Sequence, residues 1–144
     1  MDVSKQIEIS RIEELKIIHN VRIIYRHDLN PVVSKENLQV QFDVTGDIRG
    51  CITCYLCLDN HDLNHHEKNY LFPLFVESMN ILIGKQISLD EEFSSLRIQI
   101  SPPKLNLNSQ IINSSTKSFI HKYELELEDQ IFSVLAEYAL ELIN

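Results

Sequence analysis

The chain has 144 residues, 44% of them hydrophobic, and a formal net charge of −8. That is enough for one domain with its own core, and the acidic balance argues against a phosphate-backbone binder, which needs a basic stripe to displace counterions. No apolar run reaches the roughly 18 residues of a membrane span and "MDVSKQIEIS" is too polar for a secretory signal, so a soluble cytoplasmic protein is expected, with a protein or small molecule as partner and neither nucleic acid nor membrane.

"SRIEELKIIHNVRIIYR", residues 10–26, opens with Ser10 and Glu13 in the S-x-x-E arrangement of a capping box. Ile12, Leu15, Ile18, Val21 and Tyr25 then recur at helical spacing, which predicts an amphipathic helix. "HDLNPVVSKEN" follows as a loop around Pro31. Leu38, Val40, Phe42 and Val44 alternate with Gln39, Gln41, Asp43 and Thr45, the period-two pattern of a half-buried strand. "GDIRG" turns the chain, and Cys51 to Leu58 returns as the second strand of a hairpin.

"CITCYLC" places three cysteines at C-x-x-C-x-x-C spacing. A metal reading needs the three thiolates to converge, but side chains of a strand alternate faces. Cys51 and Cys57 then share one face and Cys54 the other, so three small buried thiols are the expectation. His61 and His65, four apart with His66 beside them, could meet on one helical face and hold a metal. Their segment, "DNHDLNHHEKN", instead reads as a loop or short turn without a matching acidic or cysteine ligand, so solvated histidines are expected and no metal site is assigned.

A second helix is expected from about Tyr70 to Gln86. Leu71, Leu74, Phe75, Met79, Leu82 and Ile83 can cover its buried face. Glu77, Asn80 and Gly84, at i, i+3 and i+7, line another stripe. Pro73 lies on that stripe too, near the expected helix start, where proline is tolerated. Gly84 either ends the helix, relieves packing, or leaves a flat spot beside Asn80 for a partner surface. By chemistry alone the stripe contains no nucleophile and no metal set. Its amide can donate and accept, and so can hold a water in one orientation; its carboxylate can pair with a lysine. From the spacing alone an ordinary solvated stripe is the expectation, and something more is needed to overturn it.

"SLDEEF" links to an alternating strand at Leu96, Ile98 and Ile100, which ends at Pro102 and Pro103. "LNLNSQIINSST" reads as irregular, and Phe119 to Leu127 as a long strand. In "DQIFSVLAEYALELIN", Gln130, Ser133, Glu137, Glu141 and Asn144 recur at steps of three and four, which predicts a closing helix with Asp129 as N-cap. The order α-β-β-α-β-β-α gives an α+β class: one domain over residues 1–144, an antiparallel-rich sheet packed with long amphipathic helices. No serine or cysteine nucleophile stands in a recognisable elbow, and "GDIRG" lacks the helix and lysine of a phosphate-cradling loop.

Three segments, in order, carry a resemblance. "VTGDIRGCITCYLCLD" resembles the glycine-flanked hairpin of the CheX/CheC chemotaxis phosphatase family. "ESMNILIGK" resembles its E-x-x-N helix with the glycine-lysine that follows. "IQISPPK" resembles its later strand and proline end, with 22 residues between Asn80 and Pro103. All three glycines of the chain fall inside these segments.

The resemblance implies hydrolysis of the phosphoryl-aspartate in a CheY-like response-regulator receiver domain. Glu77 would dock a receiver lysine and Asn80 would orient the attacking water, with Gly84 at the partner contact. The chain would bind no cofactor, because the Mg²⁺ belongs to the receiver; a homodimer is a further assembly the family allows. Three departures stand out. Pro73 occupies the position four before the glutamate, where the family often has an acidic residue or serine. "DNHDLNHHEKN" replaces a helix that relatives carry between hairpin and site helix. The predicted C-terminal helix stands where many relatives finish on strands. The alternative is a module of the same fold that docks on a receiver without hydrolysing anything.

Overall fold

The computed structural model describes residues 11–27, 35–59, 61–89, 96–106, 118–127 and 129–143. Ser10, the loop around Pro31, most of "SLDEEF" and most of "LNLNSQIINSST" lie outside them. Alternation in the sequence becomes alternation in burial. Strands β3 (Asn37–Gly46) and β4 (Ile48–Cys57) pair antiparallel with Val40 opposite Cys54 and Phe42 opposite Ile52, and all four of these side chains are buried.

The glycines flanking this hairpin are required by close approach. Gly46 has φ 112° and Gly50 φ 146°, and a Cβ there would lie 2.2 Å from the Arg97 carbonyl oxygen and 1.9 Å from that of Ala139. Asp47, between the strands, accepts a 2.8 Å hydrogen bond from the Arg97 amide on its side chain and gives its own amide to the Arg97 carbonyl.

Two expected helices are strands. The segment from Ser10 to Arg26 forms β1 (Glu14–Ile18) and β2 (Val21–Arg26), an antiparallel pair turning at His19 and Asn20. Ile17, Ile18, Val21, Ile23 and Ile24 are β-branched, stiff at χ1 and better suited to a pleated surface than to a helix. Ile18, expected on a buried helical face, is 54% exposed, whereas Val21 and Ile23 are buried at a spacing of two.

The C-terminal segment is β8 (Gln130–Leu142). Phe132, Val134, Ala136 and Tyr138 supply its buried inner row, and Asp129 sits in the turn after β7 (Phe119–Leu127) rather than at a helix cap. Short strands β5 (Ile98–Ile100) and β6 (Lys104–Asn106) both pair with β3.

The strand order is β1-β2-β7-β8-β4-β3-β5, antiparallel throughout, with β6 also on β3. This corrects the expected class. The chain is mainly one curled antiparallel sheet, and among the described residues a single α-helix, α1 (His65–Leu89), packs on it. It is not a sheet packed with several long amphipathic helices.

Helix α1 begins earlier than its apolar run suggests. Asn64 accepts a 2.8 Å hydrogen bond from the Glu67 amide, and the Glu67 carboxylate accepts one from the Asn64 amide at 3.3 Å, a reciprocal cap. The histidines at 65 and 66 thus open the helix instead of lying in a loop. Leu71, Phe75, Met79, Leu82 and Ile83 are buried against the inner rows of the sheet, with Leu74 half-buried beside them.

Candidate functional site

Because α1 lies on the sheet by one face, its other face is free for chemistry. Pro73, Glu77, Asn80 and Gly84 are all exposed there. At 3.6 residues per turn Glu77 and Asn80 are neighbours with Cβ atoms about 5–6 Å apart. Neither side chain has a hydrogen bond or ion pair among the described residues. Tyr70, 62% exposed, continues the stripe two turns before Glu77.

Two exposed residues on this stripe weaken the helix. Pro73 was expected near the helix start, but α1 opens at His65, so the proline is interior. It has no N–H for the Asn69 carbonyl, and because this face is exposed water can take that oxygen. Gly84 does not end the helix, which runs on to Leu89, and a Cβ there would meet nothing within 4 Å. An exposed interior glycine costs about 1 kcal/mol relative to alanine, and here no neighbour among the described residues needs the space. The space beside Gly84 is therefore open.

The buried face contains a polar contact that the apolar pattern hid. Gln86 is 1% exposed. Its Nε2 donates to the Tyr123 hydroxyl at 2.8 Å, and its Oε1 accepts from the Tyr138 hydroxyl at 2.5 Å. Burial pushes both phenols above their usual pKa and lowers that of the adjacent His121 to about 4, so this layer holds no charge at neutral pH. The signal was a glutamine four residues after Leu82, in register with the core row, facing strands with inward tyrosines.

The other candidates remain apart. Cys54 is in the core, where burial pushes its thiol pKa up, while Cys51 and Cys57 lie on the opposite face of β4. His61 stacks on Phe132 with ring centroids 4.3 Å apart, and His65 and His66 are exposed on the first turn of α1. Among the described residues no three His, Cys, Asp or Glu side chains group as a metal set. A cleft of about 460 Å³ between the start of α1 and the β7–β8 turn is lined by Leu63, His66, Glu67, Tyr70 and Phe132 among others. It meets the exposed stripe at Tyr70. No helix is long and apolar enough to cross a membrane among the described residues.

This fold has a solved counterpart. The crystal structure of the CheX–CheY–BeF3–Mg²⁺ complex from Borrelia burgdorferi contains a chain that matches with a TM-score of 0.54 at 15% identity, over 87% of this chain and 86% of that one. CheY is a doubly wound parallel fold, so the antiparallel match is to CheX. The fold is CheX-like. No family model matches the chain, and no curated protein matches it by sequence.

Proposed function

We propose that this chain hydrolyses the phosphoryl-aspartate of a CheY-like receiver domain. Glu77 docks against a receiver lysine, and Asn80 enters the receiver's site to orient the attacking water. What supports this reading is a Glu/Asn pair exposed on the long helix of a CheX-like fold, without hydrogen-bond or ion-pair partners among the described residues, between an exposed proline and a glycine with open space beside it.

The chemistry suits so small a device. Water attacks phosphorus, the acyl-phosphate P–O bond breaks, and the aspartate leaves as a carboxylate. The transition state is loose, so catalysis consists of positioning and charge stabilisation. The Mg²⁺ and a lysine belong to the receiver, and this chain contributes no cofactor. A neutral carboxamide can hold the water by donor and acceptor at once without repelling the phosphoryl oxygens, which removes part of the entropic barrier to attack. A substrate carried on another protein calls for a projecting surface, and α1 supplies one.

The test is receiver dephosphorylation followed in time. Asn80→Ala is expected to lower the catalysed rate on the order of 100-fold with the fold intact, and Glu77→Ala to weaken docking. An unchanged rate in Asn80→Ala would remove the residue from the mechanism. Pro73, in the helix interior four positions before Glu77, favours a second reading, a receiver-binding module without hydrolysis. Binding that prefers the phosphorylated receiver, with no change in its phosphate half-life, would select it.

A further inference from the structure

The orientation of α1 decides whether Glu77 and Asn80 face outward, and apart from an exposed ion pair of Lys68 with Glu36 near its start, most of what holds α1 does not specify orientation. Leu71, Phe75, Met79, Leu82 and Ile83 are aliphatic or aromatic without polar atoms that bond the sheet. Burial of such side chains is non-directional, and a helix resting on them can roll at modest cost. Ser78 is buried as well, but its hydroxyl donates to the Leu74 carbonyl one turn back, at 2.6 Å, and ties the helix only to itself. Gln86 differs. It lies nine residues after Glu77, about 180° round the helix, directly behind the exposed stripe.

Both ends of its carboxamide are engaged, one with each of two adjacent strands, and the receiving tyrosines are themselves held. Tyr138 stacks on Phe119 with centroids 4.9 Å apart, and Tyr123 meets Tyr25 edge-on at 5.5 Å. The chain of donors is consistent from end to end. The Tyr138 hydroxyl donates to Gln86, Gln86 donates to the Tyr123 hydroxyl, and that hydroxyl lies 3.3 Å from His121 Nδ1, which accepts from it in the tautomer protonated on Nε2.

We infer that Gln86, clamped between Tyr123 and Tyr138, is a positioning residue that fixes the rotation of α1 and so aims Asn80 and Glu77 at the partner. The inference rests on the reading of that pair as the working site. Buried polar contacts can set register where apolar packing leaves it degenerate. A roll large enough to break the clamp would swing the stripe toward the sheet and place a carboxylate against it.

The test separates register from stability. The triple variant Gln86→Met, Tyr123→Phe, Tyr138→Phe removes every polar atom of the clamp and keeps its volume, so only the half-buried His121 Nδ1 loses a neighbour and stability changes little. In the free protein its α1 amide resonances are expected to double or broaden while those of β4 and β8 stay single. Against a phosphorylated receiver its maximal rate is expected to fall on the order of 10- to 100-fold. Single sharp α1 resonances at wild-type positions would overturn the inference, as would a wild-type maximal rate. If the triple variant loses the β4 and β8 resonances as well, Tyr138→Phe alone takes its place with the same readouts. A wild-type protein that leaves receiver phosphate untouched would count against the proposed hydrolysis, and the resonances of the free protein would still decide the clamp.

Discussion

Gly84 and Gly50 show how the same residue type answers opposite needs. At Gly50 the Ala139 carbonyl would be 1.9 Å from an added Cβ, so Gly50→Ala must displace a strand. At Gly84 the space is open and the backbone helical, so alanine removes an entropic cost and meets nothing. Gly84→Ala is expected to raise stability by about 1 kcal/mol, a rise of roughly 3 °C in Tm by calorimetry, while the added methyl weakens receiver docking several-fold. A gain in stability with unchanged docking would return Gly84 to the role of an idle surface position. Spacing alone made the stripe legible, since Glu77, Asn80 and Gly84 repeat at i, i+3 and i+7 whatever the rest of the fold does. Gln86 was not legible in the same way. The residues that give it meaning, Tyr123 and Tyr138, lie on strands far along the chain, and one of those strands was expected as a helix.

At the scale of elements, the strands read well where polar and apolar residues alternate strictly, as in β3 and β7, and badly where they do not. In β8 Leu135 is buried on the outer face beside an inner row of Phe132, Val134, Ala136 and Tyr138. Five apolar positions in seven blur the period of two, and the polar residues left over fall by coincidence at steps of three and four. The length misleads too, since 13 residues exceeds the usual range of a strand, roughly 3–10. In β1 and β2 two short strands and their turn were summed into one helical period. The start of α1 was missed because a capping asparagine and two histidines look like loop chemistry until the Asn64–Glu67 reciprocity is seen. Within α1 the consequential irregularity is Pro73. Its missing N–H and its ring next to the Asn69 carbonyl weaken the helix interior, so Pro73→Ala is expected to raise stability on the order of 2 kcal/mol, measured by urea unfolding. If catalysis depends on how the helix runs on either side of that proline, the same variant changes the dephosphorylation rate although residue 73 carries no chemistry. If the rate holds, the proline is a tolerated departure from the family's pattern.

For the whole molecule, the strand order has a consequence that no single element reveals. Six of the eight strands form three hairpins with the last in the middle, β7–β8 lying between β2 on one side and β4 on the other, and β5 and β6 add to the margin at β3. Neither N-terminal hairpin reaches the other without it, and α1 rests on rows supplied by all three. Sequence patterns name strands but not their neighbours, because pairing across so many residues depends on which faces fit, and this order was therefore not readable. Such long-range pairing makes folding slow and cooperative, since loop closure must be completed before the contacts that reward it form. Stability should then be graded from the centre outward. Amides of β4 and β8, bonded on both sides and beneath the helix, are expected to exchange only through global unfolding. Those of β1 and of β5 and β6, at the two margins of the sheet, should exchange at least about 10-fold faster through local opening. Hydrogen exchange read by NMR measures both. Equal protection across the sheet would mean that the margins are held by something beyond the pairing described, whereas fast exchange in β8 would contradict its place between β7 and β4, and with it the platform that aims α1.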